Sequence, residues 1–215
     1  MECLAIDIIY NAKCDVLRPL FKKSFKRLLK GHKLLFVHIG MPCNSWTRAR
    51  RNDGRGPGPL RNNGEGLFGL LNLSETDLNK VLLGNKLLWV SIWVIKQCQI
   101  FGVPWTLENP KTSRAWLTPP LKQLQEHNQL EEVHFCQYHA PWKKATCFLH
   151  SLPRFQFETC HSKNGLCSKT GKNHIILQGR DASGAFLTKK AEPYPTALCN
   201  FIADHVLNTT LNKHS

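Results

Sequence analysis

Leu34-Leu35-Phe36-Val37-His38-Ile39-Gly40-Met41-Pro42-Cys43-Asn44-Ser45-Trp46 is the first of two stretches that decide the fold; Val103-Pro104-Trp105-Thr106-Leu107-Glu108-Asn109-Pro110 is the second. Each is a short apolar run that stops at a turn signal, Gly40-Met41-Pro42 in one case and Glu108-Asn109-Pro110 in the other. That is the pattern of a buried strand, expected over Leu34–Ile39 and Val103–Leu107. Between them Ser74 and Asp77 suit a helix cap, and a long helix is expected from there to about Ile100. A strand, a helix and a strand in succession predict an α/β sheet with crossover helices. In such sheets ligands sit beyond the carboxyl ends of the strands. Cys43 and Glu108 both fall just past such an end.

Working outward, Leu4–Ile9 reads as a further buried strand. Leu17, Leu20, Phe21, Phe25, Leu28 and Leu29 recur at helical spacing with lysines between them, and Gly31 closes that helix. From Gly40 to about Asn72 the chain is rich in Gly, Pro, Asn and Arg, a long loop. A short helix near Leu121–His127 leads to strands around Val133–Gln137 and Ala145–Leu149. After Leu152 polar, Cys- and His-bearing sequence runs to about Gly184, and a helix is expected over Thr196–Leu211. The 215 residues and 42% hydrophobic content suit one domain: a core over 1–152, an irregular region over 153–190 and a C-terminal helix within 191–215.

Twenty-nine Lys and Arg against fifteen Asp and Glu leave a formal charge of +14, which points to a polyanionic partner. Lys13–Lys33 holds eight basic residues and one acid. Arg48, Arg50, Arg51, Arg55 and Arg61 form a second cluster just after Cys43 and are expected to contact phosphate. A solubilising basic face is the plainer alternative. Val81–Phe101 is broken by Gly84, Asn85, Lys86, Lys96 and Gln97, so a buried core helix is expected there rather than a membrane span. The first residues lack a basic segment with a cleavage pattern, and nine scattered cysteines suit free thiols, so the expected location is intracellular. In a eukaryote that becomes the nucleus.

A cysteine at a strand end beside an arginine-rich loop is placed to attack an electron-poor ring carbon held by the loop, and nearby positive charge is expected to lower its pKa. In isolation Pro42-Cys43 is more often structural. Glu108, at the end of the neighbouring strand, changes that: a partly desolvated carboxyl stays protonated near neutral pH and donates to a ring nitrogen. Its plainer role is a cap or a surface ion pair. Cys160, His161, Cys167 and His174 form a possible zinc arrangement, but the tight Cys-x2-Cys pair is missing, which favours a polar loop without zinc.

Taken together, Gly40-Met41-Pro42-Cys43-Asn44-Ser45-Trp46 and Glu108-Asn109-Pro110 resemble the Phe-Pro-Cys and Glu-Asn-Val segments of the cytosine-C5 DNA methyltransferases. Tyr138-His139-Ala140-Pro141-Trp142-Lys143-Lys144-Ala145-Thr146 resembles that family's Tyr-Gly-x-Pro-Gln-x-Arg-x-Arg, which also precedes a strand. Cys14-Asp15-Val16 is similar to its Gly-Asp-Ile, and Leu187-Thr188 with Tyr194-Pro195 to its late Leu-Thr and Phe-Pro segment. The resemblance spans most of residues 5–150. It implies a Rossmann-like methyltransferase sheet that starts at the family's second strand, without the first strand and its Phe-x-Gly-x-Gly loop. Such a chain would be shortened at its N-terminus, as in copies that mobile elements leave behind.

The resemblance further implies S-adenosylmethionine as cofactor, with Asp7 at its ribose, Asp15 at its adenine and Pro42 beside it. Cys43 would add to C6 of an extruded cytosine while Glu108 hydrogen-bonds N3. Lys143 or Lys144 would support the ring carbonyl, and residues 153–190 would stand for a reduced target-recognition region. DNA is the implied substrate. RNA stays open, because one branch with this architecture acts on transfer RNA. A catalytically silent nucleic-acid-binding remnant is the alternative from another class. Amino-group methyltransferases fit less well, since no Asp/Asn-Pro-Pro-Tyr/Trp tetrapeptide occurs. RNA cytosine-C5 enzymes place Thr-Cys where this chain has Glu-Asn-Pro.

Overall fold

The computed structural model describes residues 2–50, 52, 57–162 and 164–211. They form a mixed α/β fold around an open four-stranded sheet of order β1-β2-β4-β3, with β1 Val37–Gly40, β2 Trp105–Pro110, β3 Gln129–His134 and β4 Ala145–His150. β1 and β2 run parallel, joined through the long helix α2 (Glu75–Ile100). β4 is antiparallel to both β2 and β3, so the far half of the sheet is a hairpin-like pair. α1 (Pro19–Lys30) precedes β1, α3 (Pro119–Gln125) follows β2, and α4 (Thr196–Leu211) ends the described chain.

Alternation along the strands sorts the residues onto two faces. On one face Trp105, Leu107, Cys147 and Leu149 pack against Phe25 and Leu29 of α1, Leu88, Ile92 and Ile95 of α2, and Leu121 and Leu124 of α3. On the other, Phe148 joins Phe155, Phe157 and α4's Leu198 and Val206 in an aromatic cluster. Phe148 and Phe157 lie 4.6 Å apart, as do Phe155 and Phe157. Two β-strand faces thus bury two separate cores, and α4 covers the second.

The helices fall where periodicity and caps put them. Ser74 accepts the Asp77 N–H, as a cap requires, and Gly31 closes α1 through bonds from its own N–H to Arg27 and Leu29 carbonyls. α2 is long and apolar enough to cross a membrane by length and composition alone. Here it turns Val81, Leu88, Ile92, Ile95 and Cys98 inward. Four strand expectations shift. The strand expected over Leu34–Ile39 starts only at Val37 and runs to Gly40. Leu4–Ile9 is no strand: Asp7 accepts the Ile9 N–H, the Tyr10 N–H returns to the Asp7 carbonyl, and Ile8 and Ile9 are exposed. The strand expected over Val133–Gln137 lies earlier, at Gln129–His134, because Phe135–Tyr138 coils into a 3-10 turn. The second strand extends past Leu107, so that Glu108 and Asn109 lie within it.

His150 ends β4 with its side chain fully buried, and its Nδ1 accepts the Leu152 N–H at 3.2 Å. Burial, with a smaller push from His205, lowers its pKa to about 4. A folded-state value below the unfolded one means that, as pH falls from about 6.5 to 4, the unfolded chain takes up a proton the native ring refuses. Stability from this residue is complete above pH 6.5 and lost on the way to pH 4, on the order of 3 kcal/mol. Urea unfolding should therefore show a steeper loss between pH 7 and 4.5 for the natural chain than for His150→Asn, whose amide oxygen still accepts from Leu152. Equal slopes would clear His150 of this role.

Candidate functional site at the ends of the parallel strands

Glu108 stands opposite Gly40 in the β1–β2 register and points to the face that α4 covers. It is 6% exposed, and both carboxylate oxygens are engaged. Thr146 Oγ1 donates to Oε1, and the Tyr194 hydroxyl donates to Oε2 at 2.9 Å. Burial first, then the Glu108 charge, raise the Tyr194 pKa, so the phenol keeps its proton. Since that proton goes to Glu108, the 3.2 Å contact between His38 Nε2 and the Tyr194 oxygen is made by an Nε2–H donor. Nδ1 then accepts from Thr106 Oγ1 at 2.8 Å. Loss of surrounding water lowers the His38 pKa, which keeps the ring neutral, as this tautomer requires.

A polar chain from Thr106 through His38 and Tyr194 to Glu108 thus runs along one face of the sheet. Gly40 makes room for it, since a Cβ there would sit 3.3 Å from the Tyr194 hydroxyl.

Cys43 follows β1 in a turn closed by the Trp46 and Thr47 N–H groups on its own carbonyl, both at 2.9 Å. Asn109 fixes the loop from the neighbouring strand by donating to the Met41 carbonyl at 2.6 Å. Cys43 is half-buried. Burial, and then the Glu108 carboxylate, raise its pKa, with Lys144 pulling weakly the other way. This corrects the expectation of a thiol lowered by the arginine loop. The acid partner's negative charge outweighs the nearby cation.

The arginine cluster divides. Arg61 is completely buried and cannot reach phosphate. Its guanidinium stacks on Trp46 at 3.4 Å and donates to the Ser45 carbonyl and hydroxyl, to the Leu67 and Val81 carbonyls and to Asn85 Oδ1. Desolvation lowers its pKa to about 10. It clamps the loop that carries Cys43 onto α2. Gly84 in mid-helix permits the approach, because a Cβ there would overlap Ser45 Oγ. Arg50 is half-buried, ion-paired with Asp77 at 3.3 Å and bonded to the Gly58 carbonyl. Arg48 is exposed. Arg51 and Arg55 lie outside the described residues.

Lys144 and Lys143 part company. Lys144 Nζ lies 4.6 Å from the Phe135 ring centre and donates to the Ala191 carbonyl at 3.0 Å, on the Cys43 side. Lys143 reaches the Cys160 carbonyl and Ser162 instead, at 3.3 and 3.4 Å.

Asp7, Asp15 and Pro42 line one cavity of about 430 Å³ between the segment before α1, α1, α2 and β1, and it runs up to Asn44 and Ser45 beside Cys43. Its walls are largely apolar, with Val16, Leu17 and Phe21 among them. Asp7 and Asp15 each tie one oxygen to a backbone N–H, of Ile9 and Leu17 respectively, both at 2.9 Å. Their other oxygens carry no protein hydrogen bond among the described residues.

Cys160, Cys167 and His174 lie together, joined by Cys136, which the sequence pattern did not flag; His161 is not among them. Burial alone would raise the Cys167 thiol, but the Lys169 and Thr170 N–H groups outweigh it and bring its pKa down to about 6.

His38, Thr106, Thr146 and Tyr194 were not singled out as functional from sequence. The available signal was strand alternation: Thr106 and Glu108 share a face of β2, and Thr146 and His150 share one of β4. No protein-family model, curated protein or solved structure matches this chain.

Proposed function

We propose that the chain transfers a methyl group to C5 of cytosine in DNA, using S-adenosylmethionine and a transient covalent adduct at Cys43. The observation that carries this reading is the juxtaposition of a strand-end thiol and a buried carboxyl on adjacent parallel strands, beside a cavity that Asp7, Asp15 and Pro42 line. The sheet suits a Rossmann-like methyltransferase, with the nucleophile loop after one parallel strand and the acid on the next.

The cavity fits the cofactor. Its volume lies in the range of small-molecule sites, its apolar walls suit an adenine, and its two carboxylates suit ribose hydroxyls and an exocyclic amine. In this reading Asp7 takes the ribose, Asp15 the adenine edge, and Pro42 closes the side next to Cys43. Bound there, the cofactor supplies an electrophilic methyl group.

The chain's own residues do the rest. Cys43 gives up its proton to solvent and its thiolate adds to C6 of an extruded cytosine; once C5 carries the methyl group, loss of the C5 proton to solvent base and expulsion of the Cys43 thiolate complete the turnover. Glu108 takes up a proton from solvent, exchanges its bond from Tyr194 for one that it donates to N3, and so offsets the charge that develops on the ring. Tyr194 stays within reach through His38, and Lys144 stands by for the ring carbonyl. Thr146 holds Glu108 where the resemblance implies an arginine. Arg48 and the basic face of α1 would follow the phosphate backbone, of DNA here and of RNA if that is the true substrate.

A second reading, a silent nucleic-acid-binding remnant, is favoured by one observation: Thr146 and Tyr194 already occupy both Glu108 oxygens. Calorimetry separates the two. Micromolar binding of S-adenosylmethionine is expected, weakened at least about tenfold in Asp15→Ala by loss of a charge-assisted contact in a partly dry site. No detectable binding by the natural chain would overturn the methyl-transfer reading and leave the remnant.

A further inference from the structure

The segment from Ser151 to Phe186 holds no helix or strand among its described residues, only the isolated bridges Leu166–Asn173 and Arg180–Phe186. Beyond Phe157, whose ring still packs in the second core, this stretch has little apolar area with which to offset its ordering entropy. Three cysteines and a histidine nevertheless meet within it and at the turn after β3. The donor atoms of Cys136, Cys160, Cys167 and His174 all lie within 4.8 Å of one another. All three thiols are buried and free of disulfides. Cys160 Sγ and His174 Nε2 are 3.7 Å apart. Tetrahedral zinc with bonds of about 2.3 Å to sulfur spaces its ligands about 3.8 Å apart.

We infer that Cys136, Cys160, Cys167 and His174 bind a structural zinc ion that staples residues 151–186 to the end of β3.

The surroundings orient each ligand. Cys136 sits in the 3-10 turn Phe135–Tyr138, fixed by the strand before it. The Cys160 N–H donates to His134 Nδ1 at 2.7 Å, which ties the second ligand to β3 itself. Cys167 and His174 face each other across a small hairpin, closed by the Cys167 N–H on the Lys172 carbonyl and the Gly171 N–H on the Cys167 carbonyl, both at 2.8 Å. His174 Nδ1 donates to the Gly165 carbonyl at 3.0 Å, so its Nε2 lone pair is the one turned to the sulfurs. A backbone acceptor on the far ring nitrogen is the usual partner of a metal-bound histidine. The Ser168 N–H and hydroxyl approach Cys160 Sγ at 3.4 and 3.5 Å, and Gln137 Nε2 approaches Cys136 Sγ at 3.5 Å. Donors aimed at sulfur suit thiolates.

Three thiolates and one imidazole in a tetrahedron select zinc over harder cations. Four ligands leave no open position, so the site is closed and its role is structural. It is independent of the Cys43–Glu108 centre and stands whether or not that centre methylates anything.

The test uses the full chain purified without chelator. Metal analysis should find zinc near stoichiometric, and replacement by cobalt(II) should give the visible bands of a tetrahedral site with thiolate charge transfer in the near ultraviolet. Cys136→Ser should weaken metal retention at least about tenfold, while Cys199→Ser, at an exposed thiol outside the cluster, leaves it unchanged. His174→Cys should keep the metal and strengthen the charge-transfer band. That variant and the natural chain keep the question answerable if Cys136→Ser fails to fold. A natural chain that holds no zinc and gives no cobalt spectrum, or a disulfide among these cysteines in freshly prepared protein, would overturn the inference. So would unaltered metal retention in a folded Cys136→Ser.

Discussion

Arg61→Ala is expected to destabilise the fold by about 4 kcal/mol or more, near the limit of what one substitution does in a small domain. The guanidinium is fully buried and meets five acceptor contacts from Ser45, Leu67, Val81 and Asn85, with Trp46 against its flat face. Truncation leaves three buried carbonyls short of a donor and opens a cavity beneath Trp46. Arg61→Lys should recover little, because a single ammonium cannot reproduce a planar fork with a stacking face. Urea titration of the three proteins checks this. The same variants should free the loop that carries Cys43, so any activity falls in step with stability. A variant that unfolds like the natural chain but binds DNA weakly would restore Arg61 as a phosphate contact and sink the clamp.

That arginine shows where a sequence stops being legible. Periodicity and caps locate long elements well, because each depends on residues a few positions apart. Hence α2 begins behind Ser74, α1 ends at Gly31, and α4 runs over the stretch its pattern marks. Contacts between distant segments leave no such trace. Five arginines within fourteen residues look alike in one dimension. Only the folded chain separates exposed Arg48 from Arg50 on Asp77 and Arg61 under Trp46.

Leu4–Ile9 misled for a related reason. Its composition suits a strand, but a strand needs a partner, and Asp7 instead turns the chain through its side chain and carbonyl. In the site, Cys43 and Glu108 were legible because each follows an apolar run. Tyr194 and Thr146 were not singled out as partners of Glu108, since their convergence depends on β4 pairing antiparallel to β2 and on where α4 begins. Cys136 stood far from the other three zinc ligands in sequence, and a shift of the strand before it hid the turn that aims it.

In the presence of S-adenosylmethionine, Cys43→Ala should abolish covalent capture of DNA containing 5-fluorocytosine, while leaving salt-sensitive binding of the same DNA nearly intact. Fluorine at C5 blocks loss of the C5 substituent after the methyl group arrives, so a thiolate that has added to C6 stays attached and the complex survives denaturing electrophoresis. Capture therefore reports the nucleophile, whereas binding reports the basic surface, and the two rest on different residues. The raised thiol adds a sign. Burial and the Glu108 charge hold Cys43 protonated at neutral pH, so the capture rate of the natural chain should climb as pH rises through 8 and still be climbing at 9. Glu108→Gln removes one of the charges that raise the thiol, so Cys43 ionises more readily. It also removes the group that can hold a proton at N3. Capture should fall at least about a hundredfold despite the better nucleophile, because acid catalysis of this kind is worth that much. If Glu108→Gln captured faster than the natural chain, the carboxylate would be only a brake on Cys43, and its role as the acid would be lost. Equal capture by Cys43→Ala would remove the thiol from the chemistry altogether, and the polar chain from Thr106 to Glu108 would then stand as a structural spine of the sheet.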